Sequence, residues 1–275
     1  MSVLSNPSVQ EANLPMLATA DPKHEVPAFS VLGVPVNAIQ IPGVIATMEE
    51  WIRNRAGTHF VAVTGMHGVV EAHRQQKFKM ILSSAALVVP DGMPLVWMGR
   101  WYGFTMPRRV YGPELIETFF KTTGDRYSHF FYGGAEGVAD LLARRMWERY
   151  GIRIAGTYSP PFRELTPEEE VRVAGRIQST TPDVLWVGLS TPKQEKWMWA
   201  FHKRLDVPVM VGVGAAFDFH TGRVRQAPVW MREHGLEWFF RLVSEPRRLW
   251  RRYLIYGPEF IWNVNLEILK LKKFN

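Results

Sequence analysis

The sequence predicts an α/β fold: a mostly parallel sheet with helices on both faces, followed by a helical, basic C-terminal appendage. Three observations carry this. Five apolar, β-rich runs, HFVAVTG (59–65), ALVVPDG (86–92), HFFYGG (129–134), VLWVGLS (184–190) and VPVMVGVG (207–214), alternate with stretches of helical periodicity. The runs are continuously apolar, as strands buried on both faces must be, and parallel strands joined by right-handed helical crossovers provide that burial. After Gly222 no further strand signal occurs, and Arg and Trp crowd into helical patterns.

In chain order, residues 1–28 are rich in Ser, Pro, Asn and Ala without apolar periodicity and read as a mobile leader. The core is expected over 29–222. Within it, TPEEEVRVAGRIQ carries the marks of a helix start: Thr166 as N-cap, then Pro167, then Glu168 to Glu170 where the helix dipole favours acid. Thr191 before Pro192 in STPKQEKWMWAFHKRL reads the same way, and RIAGTY (153–158) is a further strand. The appendage, 223–275, contains SEPRRLWRRYLIYG (244–257), expected as a short helix capped by Ser244, with Pro246 early and Gly257 as terminator. At about 100° per residue, Arg247, Arg248, Arg251 and Arg252 gather on one side of it. Leu249, Trp250, Tyr253, Leu254 and Tyr256 take most of the rest. Such a helix suits an anionic membrane interface, or lays its apolar face on the core and its arginines over a diphosphate.

The bulk properties bound the function. With 275 residues, 47% hydrophobic and 21% charged, the chain can bury one large core. It has no cysteine, which excludes disulfides and thiolate zinc sites and makes a reducing cytosol the simplest compartment. The opening MSVLSNPSVQEANLP lacks the basic and apolar regions of a secretory signal. The longest apolar stretch, Val207 to Phe217, is too short to cross a hydrocarbon layer of about 30 Å. Nearly all of the net charge of +7 sits in 223–275, where eleven Lys and Arg face five Asp and Glu. A basic end of that kind fits nucleic acid, anionic lipid or a diphosphate.

Open α/β sheets bind ligands beyond the carboxyl ends of their strands. The unusual residues fall there: Thr64, Asp91 with Gly92, Gly133 with Gly134, Ser190 with Gln194 and Glu195, and Gly214 with Asp218. GGAEGVA (133–139) either brings backbone close to a diphosphate or is a tight turn needing positive φ. It is not G-x-G-x-x-G, and RIAGTY ends without an acidic residue for a ribose, so a dinucleotide-dependent oxidoreductase is disfavoured. Asp91 is a candidate general base, or the cap of the next helix. Thr64 binds a substrate oxygen or merely ends its strand, and Asp218 accepts from a hydroxyl or forms a turn. The eight His show no ligand spacing and there is no D-x-D pair, so no metal and no cofactor is expected. The charge of a departing diphosphate would then fall to the arginines of the tail.

The stretches PDGMP (90–94), RVYGPEL (109–115), FFYGGAEGVA (130–139), PDVLWVGLSTPKQEKWM (182–198), VGVGAAFDFHTG (211–222) and GLEWFFRLVSEPRRLWRRY (235–253) together resemble the WecG/TagA/CpsF glycosyltransferases, glycosyltransferase family 26. The resemblance runs from about Val34 to Tyr253. It implies a Rossmann-like core whose C-terminal appendage closes the site, and an inverting, metal-independent transfer from a UDP-hexose to a polyprenyl-diphosphate-linked sugar. By the same resemblance Asp91 is the base and Thr64 its companion. The nucleotide-sugar site draws on Gly133, Gly134, Ser190, Gln194, Glu195, Gly214, Phe217 and Asp218, and Arg241, Arg248 and Arg251 lie near the diphosphate. Met66, Ser190 and Gln226 depart from frequent family residues (Asn, Gly and Arg). Members use N-acetylmannosamine, its uronic acid or glucose as the transferred sugar, in cell-wall, enterobacterial-antigen and exopolysaccharide pathways.

The expected partners are therefore a UDP-hexose, a polyprenyl-diphosphate-linked acceptor and a membrane surface met by the basic C-terminal helix, with no nucleic acid. The expected location is cytoplasmic, peripheral on the inner face of the cell membrane. A nucleotide-binding membrane module without transfer activity is the alternative.

Overall fold

The computed structural model describes residues 26–274. The expected leader lies outside the described residues up to 25, and Ala28 already opens a strand. β1 (Ala28–Val31) and β2 (Val34–Asn37) form an antiparallel hairpin, followed by α1 (Ile41–Asn54). Then come β3 (His59–Thr64), α2 (Met66–Arg74), α3 (Gln76–Ser83), β4 (Leu87–Pro90), α4 (Met93–Trp101) and α5 (Gly112–Thr123). β5 (Ser128–Gly133), α6 (Val138–Tyr150), β6 (Arg153–Tyr158), α7 (Pro167–Ser179), β7 (Val184–Gly188), α8 (Lys193–Phe201), β8 (Val209–Gly212) and α9 (Ala216–His220) complete the alternation. The C-terminal part is helical: α10 (Val229–Glu233), α11 (Glu237–Ser244), α12 (Pro246–Trp250), a π-helical turn (Arg251–Ile255) and α13 (Tyr256–Ile268).

Strands β3 to β8 form one six-stranded sheet in the order β4-β3-β8-β7-β5-β6, every pair parallel. This is the Rossmann-like, doubly covered architecture expected. Successive side chains of a strand point to opposite faces, and the cores divide accordingly. Val61, Val63, Val184 and Trp186 join α1, α5, α6 and α9 in one core. On the other face Ala62 and Val88 pack with the hairpin, α2, α3 and α4, while Phe60, Leu185 and Val187 pack with α7 and α8.

Local signals held in part. Thr166 forms a full capping box with Glu169. Thr191 does not cap: Pro192 is the N-cap of α8, and the Thr191 hydroxyl donates instead to Glu195 Oε1 at 2.9 Å. The expected helix 244–257 is not a unit either. Ser244 ends α11, its hydroxyl donating to the Phe240 carbonyl at 2.8 Å, and Glu245 stands at the N-cap of α12. Gly257 terminates nothing. It lies buried in the first turn of α13, and the helix runs on through it. α13 then places Phe260 and Val264 in the core beside Val69 and Val70, and Glu267 accepts from the Leu32 N–H. The last helix is therefore fastened along the core, while α10 to α12 lie over the strand ends. Among the described residues no helix is long and apolar enough to cross a membrane.

Candidate active site

A cleft of about 1590 Å³ opens at the carboxyl ends of the sheet. All six parallel strands deliver residues to it: Gly65, Asp91, Gly134, Pro160, Ser190 and Gly214 follow β3 to β8. The facing wall is the C-terminal part, with Glu237 and Arg241 of α11, Arg248 of α12, Arg251 and Arg252 of the π-helical turn and Tyr256 of α13. Single-ligand pockets usually measure about 300–1,000 Å³. The space here is larger than that.

Asp91 stands on the floor. Its backbone N–H donates to the Thr64 carbonyl at 2.8 Å, extending the β3–β4 pairing by one residue. The next helix is capped by Gly92 without any side-chain bond, so capping is not what Asp91 does. Its Oδ1 is sealed from solvent and has no hydrogen-bond partner. Burial pushes the Asp91 carboxyl up to about 7; the Arg109, Arg252 and Arg241 charges restrain the rise and Glu237 adds to it. A carboxylate titrating near neutrality is suited to take a proton and release it. The Thr64 hydroxyl, 1% exposed, also lacks a partner.

Behind Asp91 lies a charged network absent from the sequence-based assignment. Arg109 pairs with Glu237, and the Tyr111 hydroxyl donates to the other Glu237 oxygen at 3.1 Å. The Arg109 guanidinium lies 4.1 Å from the Tyr111 ring centre. His67 lies with its ring tilted against Tyr256, centres 5.0 Å apart, with Nδ1 buried and unpartnered, and burial with the Arg252 and Arg74 charges lowers it to about 3, leaving it neutral. Arg109 and Glu237 both fall inside stretches that carried the family resemblance. That signal could have found them.

The remaining assigned residues divide. Ser190, Gln194, Gly134, Gly214 and Asp218 line the cleft. Gln194 is 1% exposed and bonded at both ends, accepting from the Gly214 N–H at 3.0 Å and donating to Glu195 Oε1 at 3.1 Å. It ties the loop after β7 to the loop after β8. Glu195 and Phe217 sit behind the wall, 0% and 1% exposed. Burial raises the Glu195 carboxyl. Phe217 fills the space left by Gly188, where a Cβ would meet its ring at 2.5 Å. Gly133, at φ 134°, is required for backbone approach: a Cβ there would lie 2.5 Å from the Gly188 carbonyl oxygen. Gly134, at φ 72°, gives its N–H to that same carbonyl at 3.0 Å, so the turn is structural on both counts. Asp218 faces Arg223 at 3.8 Å.

The arginines are not equivalent. Arg241 is largely buried, 3.8 Å from Glu245, with Nε unpartnered. Arg252 is partly buried and lines the cleft, and burial lowers its guanidinium from the ordinary value. Arg248 is half exposed and paired with Glu245 at 2.8 Å, and Arg251 is exposed at the rim, 5.3 Å from the Trp250 ring centre. The helical wheel of 244–257 grouped Arg248, Arg251 and Arg252 on one side, whereas the structure breaks that segment at the π-helical turn and leaves Arg248 and Arg251 more exposed than Arg252. Among the described residues no group of three or more His, Cys, Asp or Glu could hold a metal.

This arrangement of a near-neutral carboxylate under an arginine-lined wall accompanies a match of residues 29–274 to the family model described as Glycosyl transferase WecG/TagA/CpsF family. The chain belongs to that family. Its activity is accordingly a glycosyl transfer. Similar curated proteins are N-acetylglucosaminyldiphosphoundecaprenol N-acetyl-β-D-mannosaminyltransferases. The Bacillus spizizenii protein is 33% identical over 186 residues, 67% of this chain and 70% of that protein. The Bacillus subtilis protein is 31% identical over 196 residues, 70% and 74%. A Staphylococcus aureus protein is 24% identical over 256 residues, 93% and 99%.

Proposed function

We propose that this family member transfers a hexose from a UDP-sugar to a polyprenyl-diphosphate-linked glycan in a single inverting displacement, with Asp91 as the base. The observation that carries the reading is the sealed, unpartnered Asp91 Oδ1 on the floor of the large cleft. The acceptor hydroxyl gives its proton to Asp91 as its oxygen attacks the anomeric carbon. The bond from that carbon to the UDP β-phosphate oxygen breaks, and its electron pair leaves with UDP. Arg241 and Arg252 face the developing charge, with Arg248 and Arg251 at the rim, and Thr64, whose carbonyl accepts from the Asp91 N–H, supports the base. Ser190, Gly134, Gly214 and Asp218 contact the nucleotide-sugar, while Gln194, Glu195, Gly133 and Phe217 hold those loops in place.

The relatives' names put N-acetylmannosamine first among the donors, ahead of its uronic acid and glucose, and N-acetylglucosaminyl-diphosphoundecaprenol first among the acceptors. The reading includes a peripheral site on the inner membrane face. Supporting it are exposed apolar side chains of the C-terminal part, Trp230, Trp238, Trp250, Leu254 and Trp262, each at least 43% exposed beside exposed arginines. A role in surface or exopolysaccharide synthesis follows from such an acceptor.

The test is UDP release from a panel of UDP-hexoses with lipid-diphosphate acceptors in the presence of EDTA. Acceptor-dependent, EDTA-resistant release that Asp91→Ala abolishes is the expected result. No release with any pair would favour a nucleotide-binding membrane module, and loss of release in EDTA would overturn the metal-free mechanism.

A further inference from the structure

We propose that Glu237 is a positioning residue that holds Arg109 away from Asp91, so that docking of the C-terminal part over the cleft is what leaves the base free to act. The inference rests on the role of Asp91 proposed above. Three features of the geometry carry it. First, Arg109 and Asp91 belong to neighbouring strips of backbone: the Val110 N–H donates to the Pro90 carbonyl at 2.8 Å, so the residues flanking Val110 stand beside Asp91. Second, the Arg109 guanidinium is bonded to Glu237, and Asp91 Oδ1, within reach of its field, remains unbonded. Third, Glu237 is 7% exposed and belongs to α11, whereas Arg109 and Tyr111 belong to the core. The three-way contact therefore forms only when α11 lies over the cleft.

Arg109, Arg252, Arg241 and Glu237 are the charged groups acting on Asp91, with Tyr111 protonated and His67 neutral beside them. Arg109 is the one of these cations that belongs to the core, and its anionic partner lies in the roof, whereas Arg241 pairs with Glu245 of its own segment. Removing the partner of Arg109 frees a guanidinium for a bidentate pairing with a carboxylate, its preferred geometry. A base so paired is a weaker base.

The test is Glu237→Gln, alone and with Arg109→Gln. In Glu237→Gln the acid limb of kcat/KM, which marks ionisation of Asp91, moves at least about one pH unit lower, because an opposite charge close to a carboxylate lowers its pKa by about 1–3. The plateau above it falls. In the double variant the limb returns to the wild-type position or above, since the guanidinium is gone. If Glu237 only fastened α11, both variants would open the cleft to water and both limbs would stay low. That result, or an unshifted limb in Glu237→Gln, overturns the proposal. A second readout needs no turnover: the pH-dependent gain in thermal midpoint from Asp91→Asn, measured in each background, shrinks in Glu237→Gln and recovers in the double variant. Absence of transfer in the wild type would sink the proposed reaction, while this second readout still decides the role of Glu237.

Discussion

Replacing Asp91 by Asn removes the proposed base and at the same time relieves the fold of a buried charge, and the two effects separate by pH. The folded carboxyl titrates near 7 against an ordinary value of 3.8, chiefly through burial. The folded protein thus holds this proton more tightly than the unfolded chain. Stability falls as pH rises from about 4 to about 7, and the loss is complete above 7. At about 1.4 kcal/mol per pKa unit the full loss is about 4 kcal/mol, of which a little over a third has accrued by pH 5. Asparagine has nearly the shape of the protonated acid and never ionises. Asp91→Asn is therefore expected to melt higher than the wild type at pH 8, by about 8 °C at about 2 °C per kcal/mol for a chain of this size. At pH 5 the gain shrinks to about 3 °C. Scanning calorimetry of both proteins between pH 5 and 8 measures this directly. A gain that is flat with pH, or an Asn variant that is less stable at pH 8, would refute the assignment of a raised carboxyl to this position.

The arginines should rank by their place in the wall. Arg252→Ala is expected to lower kcat by about 10²-fold, in the range of losing one electrostatic contact to a developing charge, while Arg251→Ala at the exposed rim changes kcat only a few-fold; steady-state UDP release distinguishes them. Phe260→Ala, at a side chain 4% exposed in the core beside α2, is expected to destabilise by about 3–5 kcal/mol in urea unfolding. Trp262→Ser combined with Trp230→Ser, at indoles 67% and 58% exposed that do not line the cleft, is expected to reduce binding to anionic vesicles several-fold in a flotation assay while leaving the thermal midpoint within a degree or two. Unchanged flotation would remove these residues from the membrane reading.

The parallel sheet was legible because its strands are apolar on both faces and separated by helix signals, and the position of Asp91 was legible because a Pro-Asp-Gly after such a strand has to sit at a sheet end. The hairpin of β1 and β2 was not. Its two four-residue strands, AFSV and VPVN, alternate over too few positions to rise above loop. Thr191 and Gly257 misled in different ways: the Thr191 hydroxyl bonds the Glu195 side chain one helical turn on instead of capping, and Gly257 lies inside α13, which continues through it. Motif membership likewise pointed to the neighbourhood of the site without separating contact from support. Glu195 and Phe217 share stretches with cleft-lining neighbours and are themselves sealed behind the wall.

The C-terminal part shows why the missing half of the site could not be read from local pattern. Between Ala227, 2% exposed, and α13, the buried side chains are Glu237 and Leu249 alone among the described residues. A stretch that buries so little apolar surface contributes little to its own folding, and local opening is least costly where buried contacts are few. Its two ends are nonetheless anchored, by Ala227 on one side and by Phe260 and Val264 on the other. The roof over Asp91 is thus held at its margins and, in the middle, by the bond from Glu237 to Arg109 and Tyr111. A charge that anchors a roof and also sets the electrostatics of the floor leaves no periodic signature in sequence, because its meaning lies in two residues 128 positions apart. For the lipid-linked acceptor proposed here, the same economy of burial would have a use: a roof with little of its own to lose on opening would let a bulky substrate in, and the proposed base would be free and desolvated again only with the roof back in place.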